Sequence, residues 1–207
     1  PVRTLSGLTA PAKALCVASA AHAMPRGAVL LVVPSDRDLE QMVRDVRFFV
    51  AALEGLSDAA VEQAVLPYPS HEIDPYRGMA PHAGVTSARA RALHALATGT
   101  ARVVVASAQA LLPRVSAPRR LLNASIDLKP GQEIAPTDLG ELLVDAGFRR
   151  EDPADEHGEF AVRGGILDVF PANANEPVRL EFIGDMIETL RTYDPSTQRS
   201  VRAIDQL

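Results

Sequence analysis

Apolar residues are spaced in one way over the first part of the chain and in another over the second. Residues 12 to 24 (AKALCVASAAHAM) are alanine-rich and predict a helix stopped by Pro25 and Gly27. Ala28 to Val33 (AVLLVV) is an unbroken apolar run, the pattern of a strand buried on both faces of a parallel sheet. Ser35, with Asp38 three residues on, opens a helix in which Leu39, Met42, Val43, Val46, Phe49 and Val50 recur at helical spacing. Val61 to Leu66 reads as another strand. A helix opens at Thr86 or Ser87, carries Leu93 and Leu96 on its apolar side and stops at Gly99. Arg102 to Ala106 is the third strand, and Ser107 caps a short helix that Pro113 ends. Strands alternating with helices predict a parallel α/β sheet.

After Pro118 the period changes. Leu121 to Lys129 alternates like a strand, and Thr137 to Ala146 reads as one helix with Gly147 beyond it. Short strands follow at Glu159 to Arg163, Gly165 to Phe170, Val178 to Ile183 and Met186 to Tyr193, the last two joined by a Gly184-Asp185 hairpin turn. The expected architecture is an α/β lobe with a parallel sheet over 1–119, then a smaller α+β domain with a mostly antiparallel sheet over 120–200.

Charge divides the chain at the same place. Residues 1 to 119 hold 12 Lys+Arg against 9 Asp+Glu, whereas residues 120 to 207 hold 9 against 17, a balance of +3 followed by one of −8. An acidic second part is a poor non-specific nucleic-acid binder, because phosphate neutralisation needs Lys and Arg facing the backbone; a protein partner suits it better. Tryptophan is absent and aromatics make up 4% of the 207 residues, which argues against binding by rows of stacked rings. A single cysteine, Cys16, has no partner in the chain, and no stretch approaches the ~20 apolar residues of a membrane span. The expectation is a soluble cytoplasmic protein.

Candidate chemistry is sparse. Gly7 to Ala14 (GLTAPAKA) runs into the first helix as a phosphate loop does, but G-x-x-x-x-G-K-[ST] needs glycine where Ala12 stands and a magnesium-binding hydroxyl where Ala14 stands. Gly7, Thr9 and Lys13 remain, and Pro11 removes an amide donor. His71, Glu72, Asp74, Tyr76 and His82 crowd one Pro-rich stretch without the spacing of a metal site. Asp152, Asp155, Glu156, His157 and Glu159 read as a solvated acidic loop. No nucleophile elbow is present. Arg163 and Arg179 stand out on the acidic part, each fit either for a bidentate contact with a partner or for a local bridge to Asp or Glu.

The stretch HGEFAVRGGILDVFPANANEPVRLEFIGDMIETLRTYDPSTQRS (157–200) resembles the second domain of the bacterial transcription-repair coupling factors and, more distantly, the matching domain of UvrB. VLLVVPSDRDLEQMVRDVRFFV, YPSHEIDPYRGMAPH and VVVASAQALLPRV resemble the preceding part of the same module, so the resemblance covers essentially the whole chain. It implies a relic phosphate loop at Gly7, Thr9 and Lys13, a UvrA-binding domain at 120–200, and a return towards the first lobe beginning at 201–207. Partner contacts fall on Arg163 (AVRGGILD), Arg179 (PVRLEF) and Ile183, a position often aromatic in the family. It further implies an N-terminal fragment whose missing C-terminal domains would bind RNA polymerase and carry an ATP- and magnesium-driven DNA translocase. This chain is then expected to be non-catalytic, without cofactor or metal and without membrane contact. The alternatives are a nucleotide-dependent UvrB-like or helicase-like enzyme, or a passive DNA-binding lobe using Arg89, Arg91 and Arg102.

Loss of the glycine and the hydroxyl predicts that millimolar Mg-ATP leaves the thermal midpoint of the chain unchanged. A ligand at 100 times its Kd adds ~2.7 kcal/mol of stability, so thermal shift assays read the outcome directly, and a clear upward shift overturns the expectation.

Overall fold

The computed structural model describes residues 4–71, 82–123, 125–171, 174 and 176–207, which form two compact units, Pro1–Leu122 and Asn123–Leu207. The first carries α1 (Ala10–Ala23), β1 (Val29–Val33), α2 (Asp36–Glu54), α3 (Asp58–Ala64), β2 (Val65–Tyr68), α4 (Ala83–Thr98) and β3 (Val103–Ser107), then a 3₁₀ turn at Gln109–Leu111 and α5 (Pro118–Asn123) at the division. The sheet is parallel in the order β1-β3-β2, so the last strand lies in the middle. Ala14, Ala18 and Ala21 form the buried stripe of α1, small enough for close packing with Leu39, Met42, Val43, Val46 and Val50 of α2.

Several boundaries depart from the sequence reading. The Val61–Leu66 segment divides into the end of α3 and the start of β2, because Ser57 accepts the Ala60 amide at 3.3 Å and caps a helix that runs to Ala64. α4 starts at Ala83 rather than Thr86, with His82 Nδ1 accepting the Gly84 amide at 3.1 Å. β1 is an edge strand, not one buried on both faces. Val29, Leu31 and Val33 pack against the α1–α2 side, while Leu30 and Val32 stay about half exposed on the face where α4 lies over β2.

Two of the arginines weighed for DNA contact, Arg89 and Arg102, hold the unit together from within. Arg89 is buried, donating to the Pro69 carbonyl at 2.6 Å, the Tyr68 hydroxyl at 2.6 Å and the Ala110 carbonyl at 3.3 Å. Arg102 donates to the Ala21 and Met24 carbonyls and pairs with Glu54 at 2.7 Å. Burial pulls Arg91 below its ordinary value against the opposing charge of Glu62. Arg89 and Arg102 are thus committed to contacts within the unit.

The second unit holds α6 (Pro136–Asp145) and a six-stranded sheet in sequence order: β4 (Arg149–Arg150), β5 (Glu159–Arg163), β6 (Ile166–Phe170), β7 (Val178–Ile183), β8 (Met186–Asp194) and β9 (Arg199–Ala203). All pairings are antiparallel except β4–β5. One face carries Phe160, Leu167, Val169, Val178, Leu180, Ile187 and Leu190, which pack with Leu128 of the lead-in segment and Leu139 of α6 into the core. Leu121–Lys129 is not a strand: α5 takes its start, and Leu128 exchanges both backbone hydrogen bonds with Leu207 at 2.9 Å each. Residues 201–207, expected to begin a return to the first lobe, belong here to the second unit, with Ile204 and Leu207 against its core.

Asp36 at the start of α2 fastens the end of β2 in the first unit. Its carboxylate accepts the Ser70 hydroxyl at 2.6 Å and the Ser70 amide at 2.8 Å. Burial works against the charged form, but these bonds, with Ser107 and the charge of Arg89, outweigh it and hold Asp36 below its ordinary 3.8. The unfolded chain thus takes up the proton first as pH falls. The contribution is complete above pH ~4 and disappears as pH drops through the folded-state value. Asp36→Asn is expected to flatten the acid limb of the first unit's stability profile below pH ~4, measured by urea melts across pH; an unaltered limb contradicts this role.

Candidate functional site

The face of the six-stranded sheet opposite the core carries the charged residues picked out from the sequence. Alternation along β7 puts Arg179, Glu181 and Ile183 on that face. Register then places Asp168 and Arg191 on either side of Arg179, and Ile166 and Thr189 on either side of Glu181. Arg163 closes β5 opposite Ile166. The Arg163-Gly164-Gly165 corner needs both glycines. Gly164 has φ +60°, and a Cβ on Gly165 would lie 3.1 Å from the Phe182 carbonyl oxygen, in the close approach that lets Phe182 donate its amide to Gly165 at 2.8 Å.

Both arginines converge on Asp168, whose side chain is 2% exposed. Arg179 meets it fork to fork, Nε to Oδ1 at 2.7 Å and Nη2 to Oδ2 at 2.8 Å, and spends Nη1 on the Gln198 carbonyl at 3.2 Å. Its guanidinium lies 5.0 Å from the centre of the Tyr193 ring and its side chain is 15% exposed. The Asp168 hydrogen bonds hold it above its ordinary value against the effect of burial. Tyr193 donates its hydroxyl to the Ala154 carbonyl, and burial, with the nearby Asp168 charge, pushes its phenol up. Arg163 is placed differently. It is 43% exposed, 3.7 Å from Asp168 Oδ2 and 2.8 Å from Asp152 Oδ1.

The arrangement divides the two arginines by role. Arg179 is a partly buried local bridge with its fork committed to the buried Asp168, and Arg163 presents its guanidinium at the surface. Ile183 lies further along the same face, 58% exposed, with Met186 opposite it across the β7–β8 hairpin and also exposed. The structure thus brings Arg163 and Arg179 together and leaves Ile183 as an apolar step beside them.

The acidic stretch from Asp152 to Glu159 is ordered by its last member. Glu159 is buried, and its carboxylate accepts the amides of Asp155 at 3.3 Å and Glu156 at 3.0 Å and pairs with Arg149 at 3.0 Å. His157 stacks on Phe170 with ring centres 4.0 Å apart. Sequence reasoning missed Asp168 and Tyr193, and its reading of Glu159 as part of a solvated acidic loop is corrected by the burial of that side chain at the start of β5. The available signal was a charge within an apolar strand: Asp168 in ILDVF has nowhere to go unless a cation faces it.

Elsewhere, Gly7 has φ +74°, Thr9 is the extended N-cap of α1 without a side-chain cap bond, and Lys13 is exposed. Ala14, at the position a magnesium-binding hydroxyl would occupy, is sealed in the core. Of the histidine-rich stretch, His71 and His82 are described, while Glu72, Asp74 and Tyr76 lie outside the described residues. Among the described residues no group of three or more His, Cys, Asp or Glu is placed to hold a metal ion, and no helix is long and apolar enough to cross a membrane.

Residues 126–207, within the second unit, match the family described as the UvrB interaction domain. Along 99% of its length the chain is similar to the transcription-repair-coupling factor of Escherichia coli strain K12, at 31% identity, covering 17% of that protein. The corresponding protein of Myxococcus xanthus is 33% identical over 90% of the chain and 15% of its own length, and that of Mycobacterium bovis 32% identical over 96% and 16%. The chain spans about a sixth of the length of these relatives.

The geometry separates the two arginines in stability. Truncating one member of a buried pair leaves an uncompensated charge and costs ~3–5 kcal/mol. Arg179→Ala is expected to cost about 3, the low end, because Arg163 remains near Asp168. Arg163→Ala removes only half-exposed pairs and should cost less than ~1 kcal/mol. Urea melts of both variants check the order, and equal losses would contradict it.

Proposed function

We propose that this chain is a non-catalytic recruitment module whose second unit docks UvrA, the damage-recognition partner, through the open face of the six-stranded sheet. The observation that carries the reading is the juxtaposition on that face of a half-exposed arginine, a buried Arg–Asp pair that fixes the surrounding backbone, and the exposed apolar pair Ile183 and Met186. A guanidinium at the rim of an apolar step is the composition of an interface hot spot. The similarity to transcription-repair-coupling factors and the UvrB interaction domain point the same way.

In this reading Arg163 supplies the direct contact with a carboxylate of UvrA, Ile183 supplies apolar area, and Arg179 is a positioning residue that acts through Asp168. RNA polymerase, DNA, ATP and magnesium are engaged by other parts of a longer DNA translocase that serves transcription-coupled repair, and the α/β lobe is a relic of an NTPase. The chain itself contributes binding and no chemical step.

Titration of UvrA against the 207-residue chain tests this. Loss of a desolvated, hydrogen-bonded arginine costs ~2–5 kcal/mol in binding, so Arg163→Ala is expected to weaken the complex about 30-fold or more, with an unchanged melt. Ile183→Ala should weaken it less. Arg179→Lys, which keeps the charge and loses the fork, should weaken binding while lowering stability. UvrA affinity within twofold of wild type for Arg163→Ala and Ile183→Ala together would falsify the docking face.

A further inference from the structure

Four charged side chains meet at this site, and their charges cancel. Arg179 and Asp168 neutralise each other inside the unit at 2.7 Å. Arg163 has only a distant share of Asp168, at 3.7 Å, and forms its nearer ion pair through Nη2 with Asp152 at 2.8 Å. Asp152 differs from Asp168 in the property that governs exchange: its side chain is 61% exposed against 2%. It lies on the segment between β4 and β5, next to Pro153, and not in a strand. A pair this exposed favours its closed form by less than about fivefold. The carboxylate on Arg163 is therefore held in place but readily displaced.

We propose that Asp152 is an internal occupant of the docking site: in the free protein its carboxylate takes the position on Arg163 that a carboxylate of the partner takes in the complex. The inference rests on the docking reading above. Exchanging one carboxylate for another keeps Arg163 ion-paired throughout, while the apolar contact at Ile183 and Met186 adds to the bound state alone. A surface that offers no acidic group at this point must break the Arg163–Asp152 pair without replacing it. The site thereby discriminates against neutral and basic partners as well as selecting acidic ones. Displaced, Asp152 leaves Arg163 and Arg191 as cations on this face beside the neutral Arg179–Asp168 pair, with Glu181 bound to the Thr189 hydroxyl at 2.6 Å.

Glu156 supplies the control. It lies on the same segment and is equally acidic and exposed, but it faces Arg149 at 3.7 Å instead of Arg163. Association of the 207-residue chain with UvrA is measured at low and high salt for wild type, Asp152→Asn, Glu156→Gln, Arg163→Ala and the Asp152→Asn/Arg163→Ala double variant, each with its thermal melt. Asp152→Asn is expected to bind about threefold to fivefold tighter, mainly through a faster association rate that falls with salt. Glu156→Gln should change little, and the gain should vanish when Arg163 is already alanine. Asp152→Ser should give the same gain, which keeps the test open should the amide variant melt early. Affinity no tighter than wild type, an equal gain from Glu156→Gln, or a gain that persists without Arg163 overturns the role of Asp152. If wild type does not bind UvrA, or Arg163→Ala leaves binding untouched, the docking reading itself fails, an outcome distinct from a sensitive Arg163 with an indifferent Asp152.

Discussion

The buried fork between Arg179 and Asp168 is the constraint on which the open face of the second unit depends. A carboxylate that is 2% exposed cannot stay ionised without a cation held against it, and the cation comes from the next strand in direct register. That requirement fixes β6 against β7 more firmly than backbone hydrogen bonds alone, because a slip of one residue by either strand would turn its charge into the apolar core and leave the other unpaired. Tyr193 lies beside the guanidinium and ties the pair to the segment before β5 through Ala154. Strand register, the β4–β5 segment and the presentation of Arg163 are therefore set by one ion pair.

The inner strands of this unit were readable because two of the connections carry strong local signals. Gly164-Gly165 lies between β5 and β6 and Gly184-Asp185 between β7 and β8, and apolar residues alternate along these strands, so four of the six fall within a residue or so of their expected limits. The two outer strands were not readable. β4 is two arginines long, and β9 (RSVRA) is exposed along its whole length and has no buried face to leave a pattern. The local partner of Arg179 was hidden for a different reason. The connection from β6 to β7 is not a two-residue turn, so spacing alone does not give the register that sets Asp168 opposite Arg179.

In the first unit the same limit operates through the sheet order. A continuous apolar run predicts a central strand, but β1 lies at the edge because β3, the last strand in sequence, enters the middle. Arginine counts misled in a related way. Arg89 and Arg102 gave the lobe its positive balance and read as surface charge, whereas both tie loops and helix ends together from within. Net charge describes a segment's inventory and says nothing about which side chains face water.

The paired backbone bonds between Leu128 and Leu207 have a topological consequence. Residues 128 and 207 lie side by side, so the backbone of the second unit is closed on itself as if by a clasp. Such a body can be spliced into a surface turn of another fold without stretching the host, since bridging a short gap adds little to the entropy of closing a loop.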